Sequence, residues 1–249
     1  MKLRQPEKMT ALALIPAHNE AGRIGAVVKD AKLSVPVLVV DDGSTDNTAI
    51  EAAAYGATVL RHSANRGKGA ALQTGFRWAL QQSFSLVVTL DGDGQHDPLE
   101  IPHFLDRYRA THADLIIGTR DFAAMPFNRR LANTLGRALF SWASGCYIAD
   151  NQSGYRLVSS RLMRAMLSSS ERGFEFEVDM IITAVCGGYH LEWIPVRTIY
   201  AGQPSHIHTV SHVLRFLRMV WQARHHRKPR CEYTFPDRHL ESGTPFGEC

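Results

Sequence analysis

Short apolar runs alternate with helical patterns through the first half of this chain. The runs are rich in β-branched residues and predict strands over residues 11–16, 35–41, 58–61, 86–91 and 115–119. Helices are predicted between them, over residues 21–31, 46–55, 68–82 and 98–109. In the third helix, apolar residues repeat with helical spacing at Leu72, Phe76, Ala79 and Leu80. This alternation predicts the α/β class, with a mainly parallel sheet covered by helices on both faces.

The second half of the chain is less regular. Apolar stripes predict helices over residues 128–145 and 209–226, and the second of these carries arginines on its other faces. Between them we expect a short strand within residues 151–158, a helix over 177–186 and a strand over 191–200. Because the sequence shows no repeat and no low-complexity linker, the simplest division is one domain over residues 1–228 and an irregular polar tail over 229–249.

Composition places the chain among ordinary globular proteins. Of its 249 residues, 45% are apolar and 21% are charged, and the formal net charge is +4. The four cysteines lack the paired spacing of zinc or redox sites, which favours a reduced, cytosolic chain. The first residues lack the apolar core of a signal peptide, and the longest apolar runs are too short to span a bilayer. We therefore expect a soluble or peripheral protein.

The charge is unevenly distributed. Residues 193–231 contain no acidic residue but include Arg197, Arg215, Arg218, Arg224, Arg227, Lys228 and Arg230. This segment predicts a basic face that suits phospholipid, nucleic acid or an acidic partner. Aromatic side chains are not interleaved with the arginines as a stacking platform for bases would need, so nucleic acid is not expected as a partner.

Three of the predicted strands end in polar clusters. They end in the sequences PAHNE, DDGSTD and DGDGQHD, at residues 16–20, 41–46 and 91–97. In open parallel sheets, ligands bind beyond the carboxyl ends of the strands. Carboxylates that gather there repel one another and need a cation or hydrogen-bond donors to compensate them.

The spacing Asp91-x-Asp93-x-Gln95 indicates a metal site. Alternate oxygen ligands on an extended turn suit Mg²⁺ or Mn²⁺, with open positions left for phosphate oxygens. The alternative is an acidic turn that caps a helix starting at Pro98. Capping explains Asp97 but leaves the first two aspartates without a role.

Three further positions each admit two interpretations. The turn that contains Asp42 could cap the next helix through Ser44 or Asp46, or the aspartate could bind a ribose or a base. Glu20 could be a solvated acid in the first turn of a helix, or part of the same site. Lys68 opens the third helix and could face a phosphate there, although its surroundings match neither a P-loop nor a dinucleotide-binding fingerprint.

Taken together, five segments in this order and spacing resemble glycosyltransferase family 2: IPAHNE, VVDDGSTDNT, NRGKGAALQTGF, TLDGDGQHDP and IIGTR. The likeness continues through residues 150–156, 174–179, 194–196 and 200–206, and so covers about residues 10–220. Within the family, the chain is most similar to the polyprenol-phosphate hexose transferases, including the dolichol-phosphate mannose synthases. The resemblance implies a GT-A fold with a Rossmann-like sheet, a nucleotide-sugar half over about 10–120 and an acceptor half over about 121–228.

The resemblance also implies roles for particular residues. The nucleoside would be held by Pro16, Asn19, Glu20 and Asp42, and Lys68 is a candidate contact for the diphosphate. The donor diphosphate and the metal, Mg²⁺ or Mn²⁺, would lie among Asp91, Asp93 and Gln95, the last two being the metal ligands. The acceptor phosphate would be approached by Arg120, by Arg129 or Arg130, and by Ser153.

The implied reaction is inverting transfer of a hexose from a nucleoside-diphosphate sugar to a polyprenyl phosphate. A phosphate monoester is largely dianionic at pH 7 and needs no general base, so positioning by Arg120 would supply much of the catalysis. If the acceptor is instead a sugar hydroxyl, Asp150 is the candidate base. Its alternative role is to order the loop of residues 151–154 through an Asx-turn.

Membrane contact is a further expectation. Several members of the family carry C-terminal membrane helices, and no apolar run in this sequence is long enough for one. The predicted helices over 128–145 and 209–226 could instead lie on an anionic interface, or both could simply pack on the sheet. We expect a cytoplasmic protein, peripheral at the inner face of the cytoplasmic membrane, with a nucleotide sugar and a lipid phosphate as partners. A sugar-nucleotide-binding protein that transfers nothing is the alternative of a different class.

Overall fold

A seven-stranded sheet lies at the centre of the structure. The computed structural model describes residues 9–119, 141–142, 148–150 and 153–197. The strands are β1 (Ala11–Ala17), β2 (Val37–Asp41), β3 (Thr58–Arg61), β4 (Leu86–Thr89), β5 (Leu115–Thr119), β6 (Arg156–Ser159) and β7 (Leu191–Pro195). Their order across the sheet is β3-β2-β1-β4-β6-β5-β7. Strand β6 is antiparallel to both neighbours, and the other adjacent pairs are parallel.

Helices cover both faces of this sheet. They are α1 (Ile24–Ala31), α2 (Thr48–Ala54), α3 (Lys68–Gln81), α4 (Ile101–Thr111), α5 (Ser160–Met166) and α6 (Glu175–Cys186). Helices α3, α5 and α6 contribute to one apolar core, and α1, α2 and α4 contribute to the other. Strands β2 and β4 are buried along their whole length and β1 along nearly all of it, because they lie between the two layers. Their continuous apolar sequences follow from this double burial.

Two glycines bring α3 close to its neighbours. A Cβ atom at Gly75 would lie 2.3 Å from Leu14 Cδ1 on β1, and one at Gly69 would lie 2.7 Å from Phe176 Cβ on α6. Only the absence of side chains allows this approach. The first turn of α3, which contains Lys68, is therefore packed tightly against α6.

The predicted α/β class and the mainly parallel sheet are confirmed. The strands predicted over 58–61 and 115–119 match β3 and β5, and the first, second and fourth predicted strands differ from β1, β2 and β4 by one or two residues at an end. The helix predicted from residue 98 begins with a single 3₁₀ turn, Pro98–Glu100, in which Asp97 Oδ1 accepts a hydrogen bond from the Leu99 N–H at 3.0 Å. The capping role predicted for Asp97 is thus confirmed.

The short strand predicted within residues 151–158 overlaps β6, but its antiparallel entry into the sheet, between β4 and β5, was not predicted. Helix α5 was not predicted either. Helix α5 follows β6 directly and is too short for a recognisable periodicity; Ser159 begins it by accepting a hydrogen bond from the Leu162 N–H. Most of the helix predicted over 128–145, the whole of that over 209–226 and the tail over 229–249 lie outside the described residues. No helix within the described ranges is both long enough and apolar enough to cross a bilayer.

Candidate active site

A cleft of about 350 Å³ opens where the carboxyl ends of β1, β2 and β4 meet. These strands are parallel neighbours, so the loops that follow them emerge at the same edge of the sheet. The first turn of α3 forms another wall. Six residues predicted to serve the donor or the metal line this cleft: Pro16, Glu20, Asp42, Lys68, Asp91 and Asp93. The predicted convergence of acidic strand ends is confirmed.

The loop after β1 is fastened to the loop after β2. Asn19 has a positive φ of 58°, and its backbone N–H donates to Ser44 Oγ at 2.9 Å. Its side-chain oxygen accepts a hydrogen bond from the Thr45 N–H at 2.9 Å, while the Glu20 N–H donates to Thr48 Oγ1 at 2.8 Å. These bonds place Glu20 at the cleft. The Asn19 side chain stabilises the loop instead, and its predicted contact with a nucleoside stays a prediction.

Asp42 fixes the wall of the cleft with both of its carboxylate oxygens. Oδ1 lies 2.6 Å from His62 Nδ1 and accepts the Arg66 N–H at 2.9 Å, and Oδ2 accepts the Gly67 N–H at 2.7 Å. His62 in turn contacts Thr74 Oγ1 on α3 through Nε2, at 3.0 Å. The buried carboxylate therefore holds the segment that leads into α3. The predicted contact between Asp42 and a nucleoside stays a prediction.

Lys68 bridges two carboxylates at the cleft. Its Nζ lies 2.5 Å from Asp91 Oδ1 and 3.0 Å from Glu177 Oε1. Burial would lower the pKa of Lys68, but the charges of these two carboxylates raise the pKa above its ordinary value. Burial would likewise raise the pKa of Asp91, but the charge of Lys68 and its hydrogen bond to the carboxylate lower it to about 2. Lys68 and Asp91 therefore form an ion pair at neutral pH.

His96 holds the backbone that presents Asp91. The Asp91 N–H donates to His96 Nδ1 at 3.2 Å, so the neutral ring carries its proton on Nε2. Burial lowers the pKa of His96, which keeps the ring neutral at physiological pH although Asp91 opposes the effect. The ring packs against Tyr155, whose hydroxyl donates to the Asp97 carbonyl at 2.9 Å. Both contacts anchor the loop after β4.

The same loop presents the predicted metal ligands. Asp93 Oδ1 accepts the Gln95 N–H at 2.9 Å, and its Oδ2 accepts a hydrogen bond from the Gln95 side-chain amide at 2.7 Å. In the described part of the chain, no three His, Cys, Asp or Glu side chains are grouped as a ready-made metal site. Mg²⁺ commonly takes only one or two protein carboxylates and completes its coordination with water and substrate phosphates. The donor set therefore fits a divalent ion that binds together with a diphosphate.

Glu20 shows that negative charge is crowded at this edge. Burial raises the pKa of Glu20, the guanidinium of Arg23 at 2.6 Å opposes this, and the carboxylates of Asp93 and Asp91 raise the pKa further. A cation bound among these carboxylates would relieve the repulsion. The crowding of carboxylates, like the oxygen ligands that Asp93 and Gln95 offer, therefore favours a bound divalent cation.

A buried turn approaches the cleft from the other side. Asp150 and Ser153 are each only 1% exposed, and the Ser153 N–H donates to Asp150 Oδ1 at 3.2 Å. This is the turn-ordering role predicted as the alternative for Asp150. Gly154 follows, and its carbonyl accepts a hydrogen bond from Thr89 Oγ1 on β4 at 2.8 Å. The turn therefore places the Gly154 backbone beside Lys68, while contact between Ser153 and an acceptor stays a prediction.

Arg156 is fully buried beneath this turn. Its Nε donates to the Ser153 carbonyl at 2.7 Å and its Nη1 donates to the Glu177 carbonyl. Nη2 has no hydrogen-bond partner among the described residues. Burial lowers the pKa of Arg156, and the carboxylates of Glu177 and Asp150 oppose that shift. The guanidinium connects the Ser153 turn to the first turn of α6.

Sequence reasoning missed Glu177 and Arg156 as parts of the site. Both lie in segments that carried the family resemblance, but neither received a role. An acidic residue within the apolar pattern of α6 was the only indication for Glu177. The three arginines predicted for the acceptor phosphate, Arg120, Arg129 and Arg130, lie outside the described residues.

Replacing Gly154 by alanine tests how closely the turn approaches the ion pairs. The new Cβ atom would lie 2.9 Å from Lys68 Nζ and 3.0 Å from both Asp91 Oδ2 and Glu177 Oε1. We expect turnover to fall about a hundredfold, because displaced groups at a reacting centre cost roughly that much. Gly188→Ala is the control, since Gly188 has a φ of 66° but open space around it. The Gly188→Ala change should cost about 1 kcal/mol of stability and leave turnover unchanged. Equal turnover in the two variants would contradict the placement of Gly154 beside the reacting groups.

Solved structures share this fold. Glucosyl-3-phosphoglycerate synthase from Mycobacterium tuberculosis, in complex with phosphoglyceric acid, matches with a TM-score of 0.68 and 20% identity, over 87% of this chain and 80% of that one. The same enzyme in complex with Mn²⁺, UDP and glucosyl-3-phosphoglycerate matches with a TM-score of 0.66, over 89% and 85% of the two chains. The sheet and its flanking helices are those of a GT-A glycosyltransferase.

Sequence comparison then gives the family. The model of glycosyl transferase family 2 matches residues 13–164, more than half of the chain, and this protein belongs to that family. An undecaprenyl-phosphate mannosyltransferase from Micrococcus luteus is 32% identical over 77% of this chain and 84% of its own length. A polyprenol monophosphomannose synthase from Mycolicibacterium smegmatis is 31% identical over 74% and 76%. The predicted family and fold are both confirmed.

Proposed function

We propose that this protein is an inverting, metal-dependent hexosyltransferase that moves a hexose from a nucleoside-diphosphate sugar to a polyprenyl phosphate. The cleft carries the proposal, because Lys68, Asp91 and Asp93 meet there at the ends of the parallel strands. Two relatives that resemble most of the chain support the choice of acceptor, because one is named as an undecaprenyl-phosphate mannosyltransferase and the other as a polyprenol monophosphomannose synthase.

The donor would lie along the cleft with its diphosphate near Lys68. The nucleoside would be bordered by Pro16 near the end of β1, by Glu20 on the loop after β1 and by the wall that Asp42 holds in place. Asp93 and Gln95 would hold Mg²⁺ or Mn²⁺, which when bound neutralises charge that develops on the departing diphosphate. Lys68 stays protonated in this setting and adds a fixed positive charge on the protein side.

The proposed acceptor simplifies the chemistry. A lipid phosphate is largely dianionic at pH 7, so its oxygen can attack the anomeric carbon while the bond to the nucleoside diphosphate breaks. One displacement inverts the anomeric centre, and no proton has to be removed. The main task of the protein is to align the two anions, for which Arg120, Arg129, Arg130 and Ser153 are the proposed acceptor contacts. The basic segment after residue 193 is proposed to bring the protein to the membrane surface.

A donor and acceptor screen tests this function. Purified protein with Mn²⁺ and undecaprenyl phosphate in detergent is incubated with radiolabelled UDP-glucose, UDP-GlcNAc or GDP-mannose. We expect one donor to yield an organic-soluble labelled lipid with release of its nucleoside diphosphate, and EDTA to abolish the reaction. Transfer to a free sugar hydroxyl but never to the lipid phosphate would contradict the proposed acceptor, and binding without any transfer would support the non-transferring alternative.

Asp150→Asn distinguishes the two acceptor chemistries. The carboxylate is buried and engaged with the Ser153 N–H, and asparagine keeps that acceptor oxygen. We expect turnover with a lipid phosphate to remain within about threefold of wild type, whereas loss of a general base costs about 10² to 10⁴. The measurement is kcat at saturating donor and acceptor. A large fall in kcat with unchanged donor affinity would argue for a hydroxyl acceptor.

A further inference from the structure

Four charged side chains of alternating sign lead from the buried interior to the cleft. They are Arg156, Glu177, Lys68 and Asp91. Arg156 binds the main chain of Glu177 and lies close enough for their charges to interact. Glu177 Oε1 contacts Lys68 Nζ, and Lys68 Nζ contacts Asp91 Oδ1. Each charge has an opposite charge beside it, as burial requires.

The two carboxylates on Lys68 differ in access to the cleft. The Glu177 side chain is 7% exposed, whereas that of Asp91 is 30% exposed and lines the cleft beside Asp93. An incoming cation can therefore reach Asp91 and leaves Glu177 untouched. If Asp91 turned towards the cation, a lysine without a second partner would become an unpaired, largely buried charge, which is strongly unfavourable. Because Glu177 stays beside Lys68, the lysine keeps an opposite charge and this free-energy cost does not arise.

We propose that Glu177 is a positioning residue that keeps Lys68 paired while Asp91 exchanges its lysine contact for one with the divalent cation that binds the diphosphate. This inference rests on the proposed function and assigns a role within its donor site. Glu177 acts through Lys68 and makes no contact with the substrate itself. Lys68, released from Asp91 but held by Glu177, can then direct its free N–H groups to the diphosphate.

The proposal predicts opposite effects on two binding constants. In Glu177→Gln, Asp91 is the one carboxylate of the described residues that still pairs with Lys68. The exchange therefore becomes costly, and nucleotide binding in the presence of Mn²⁺ should weaken about tenfold. The same change removes one negative charge from behind Lys68, next to the cleft. Metal-free nucleoside diphosphate should therefore bind about threefold more tightly. A purely structural defect would weaken both.

The experiment is calorimetric titration of UDP and of GDP into the full chain, with Mn²⁺ and with EDTA. Asp179→Asn is the matched control, because Asp179 lies on the same helix but its carboxylate binds Ser169; both constants should equal those of wild type. Glu177→Asp restores the charge and should return the Mn²⁺-dependent affinity to within about threefold of wild type. Thermal unfolding of each variant confirms that it is folded.

A double-mutant cycle tests whether Glu177 affects nucleotide binding through Lys68. In a Lys68→Gln background, Glu177→Gln should produce no further loss of Mn²⁺-dependent binding, because its partner is gone. Equal losses with and without Mn²⁺, or additive losses in the double variant, would overturn the role of Glu177. If wild type itself shows no Mn²⁺-dependent nucleotide binding, the proposed function fails; if wild type does and Glu177→Gln behaves identically, only this inference fails.

Discussion

Asp93→Asn is expected to lower turnover about a thousandfold while the protein remains folded. Asparagine retains an oxygen that can accept the Gln95 N–H, so the loop after β4 should keep its shape. The change removes the carboxylate charge that would hold a divalent ion next to the donor diphosphate. Steady-state turnover with saturating Mn²⁺ measures the effect, and the melting temperature monitors the fold.

Asp106→Asn is the control for the loss of a carboxylate. Asp106 lies on α4, with its side chain 67% exposed and paired with the neighbouring Arg109. Its removal should leave turnover within about twofold of wild type, since exposed ion pairs contribute little. If Asp93→Asn retained more than a tenth of wild-type turnover, a metal bound by this carboxylate could not be central to the reaction.

Arg156→Met is expected to destabilise the fold by about 3–5 kcal/mol. The variant leaves the Ser153 and Glu177 carbonyls without their buried donor and removes the positive charge behind Glu177. Nη2 finds no hydrogen-bond partner in the described part of the chain, so the net loss is expected to be smaller than the sum of the bonds. Urea unfolding monitored by circular dichroism gives the free energy of unfolding.

The matched control is Arg164→Met on α5, where the arginine is exposed. This variant should unfold within about 0.5 kcal/mol of wild type. An Arg156→Met protein as stable as wild type would show that the guanidinium does not hold the Ser153 turn against α6. In that case the alternating charges could not be treated as one connected unit.

The sequence was sufficient to predict the convergence of Glu20, Asp42 and Asp91. Each follows a strand with a continuous apolar sequence, such strands are parallel and doubly buried, and parallel neighbours end at one edge. The family resemblance added the roles of these residues, and the comparisons confirm the family. Those roles remain predictions for this chain.

The sequence was not sufficient where a contact joins distant parts of the chain. Nothing near Asp42 indicates that its carboxylate binds the backbone of Arg66 and Gly67, because that contact depends on how the loop before α3 folds back. Glu177 resembled an ordinary acid in the first turn of a helix. Its partner Lys68 lies more than a hundred residues away and meets it only because α3 packs against α6.

The antiparallel direction of β6 was missed for a similar reason. A short apolar strand has the same pattern in either direction, and only its neighbours β4 and β5 determine its orientation. This orientation matters for the site. It brings the Ser153 turn and Gly154, which precede β6, to the same edge of the sheet as the end of β4.

The central claim is that carboxylates from the loop after β4 hold a divalent cation that binds the diphosphate of a sugar donor. Its most direct test is the affinity of UDP and GDP, measured with and without Mn²⁺, for wild type and for the Asp91→Asn/Asp93→Asn double variant. The account predicts that Mn²⁺ tightens binding of one nucleotide at least about tenfold in wild type and has no effect in the double variant. Equal tightening by Mn²⁺ in both proteins would contradict it.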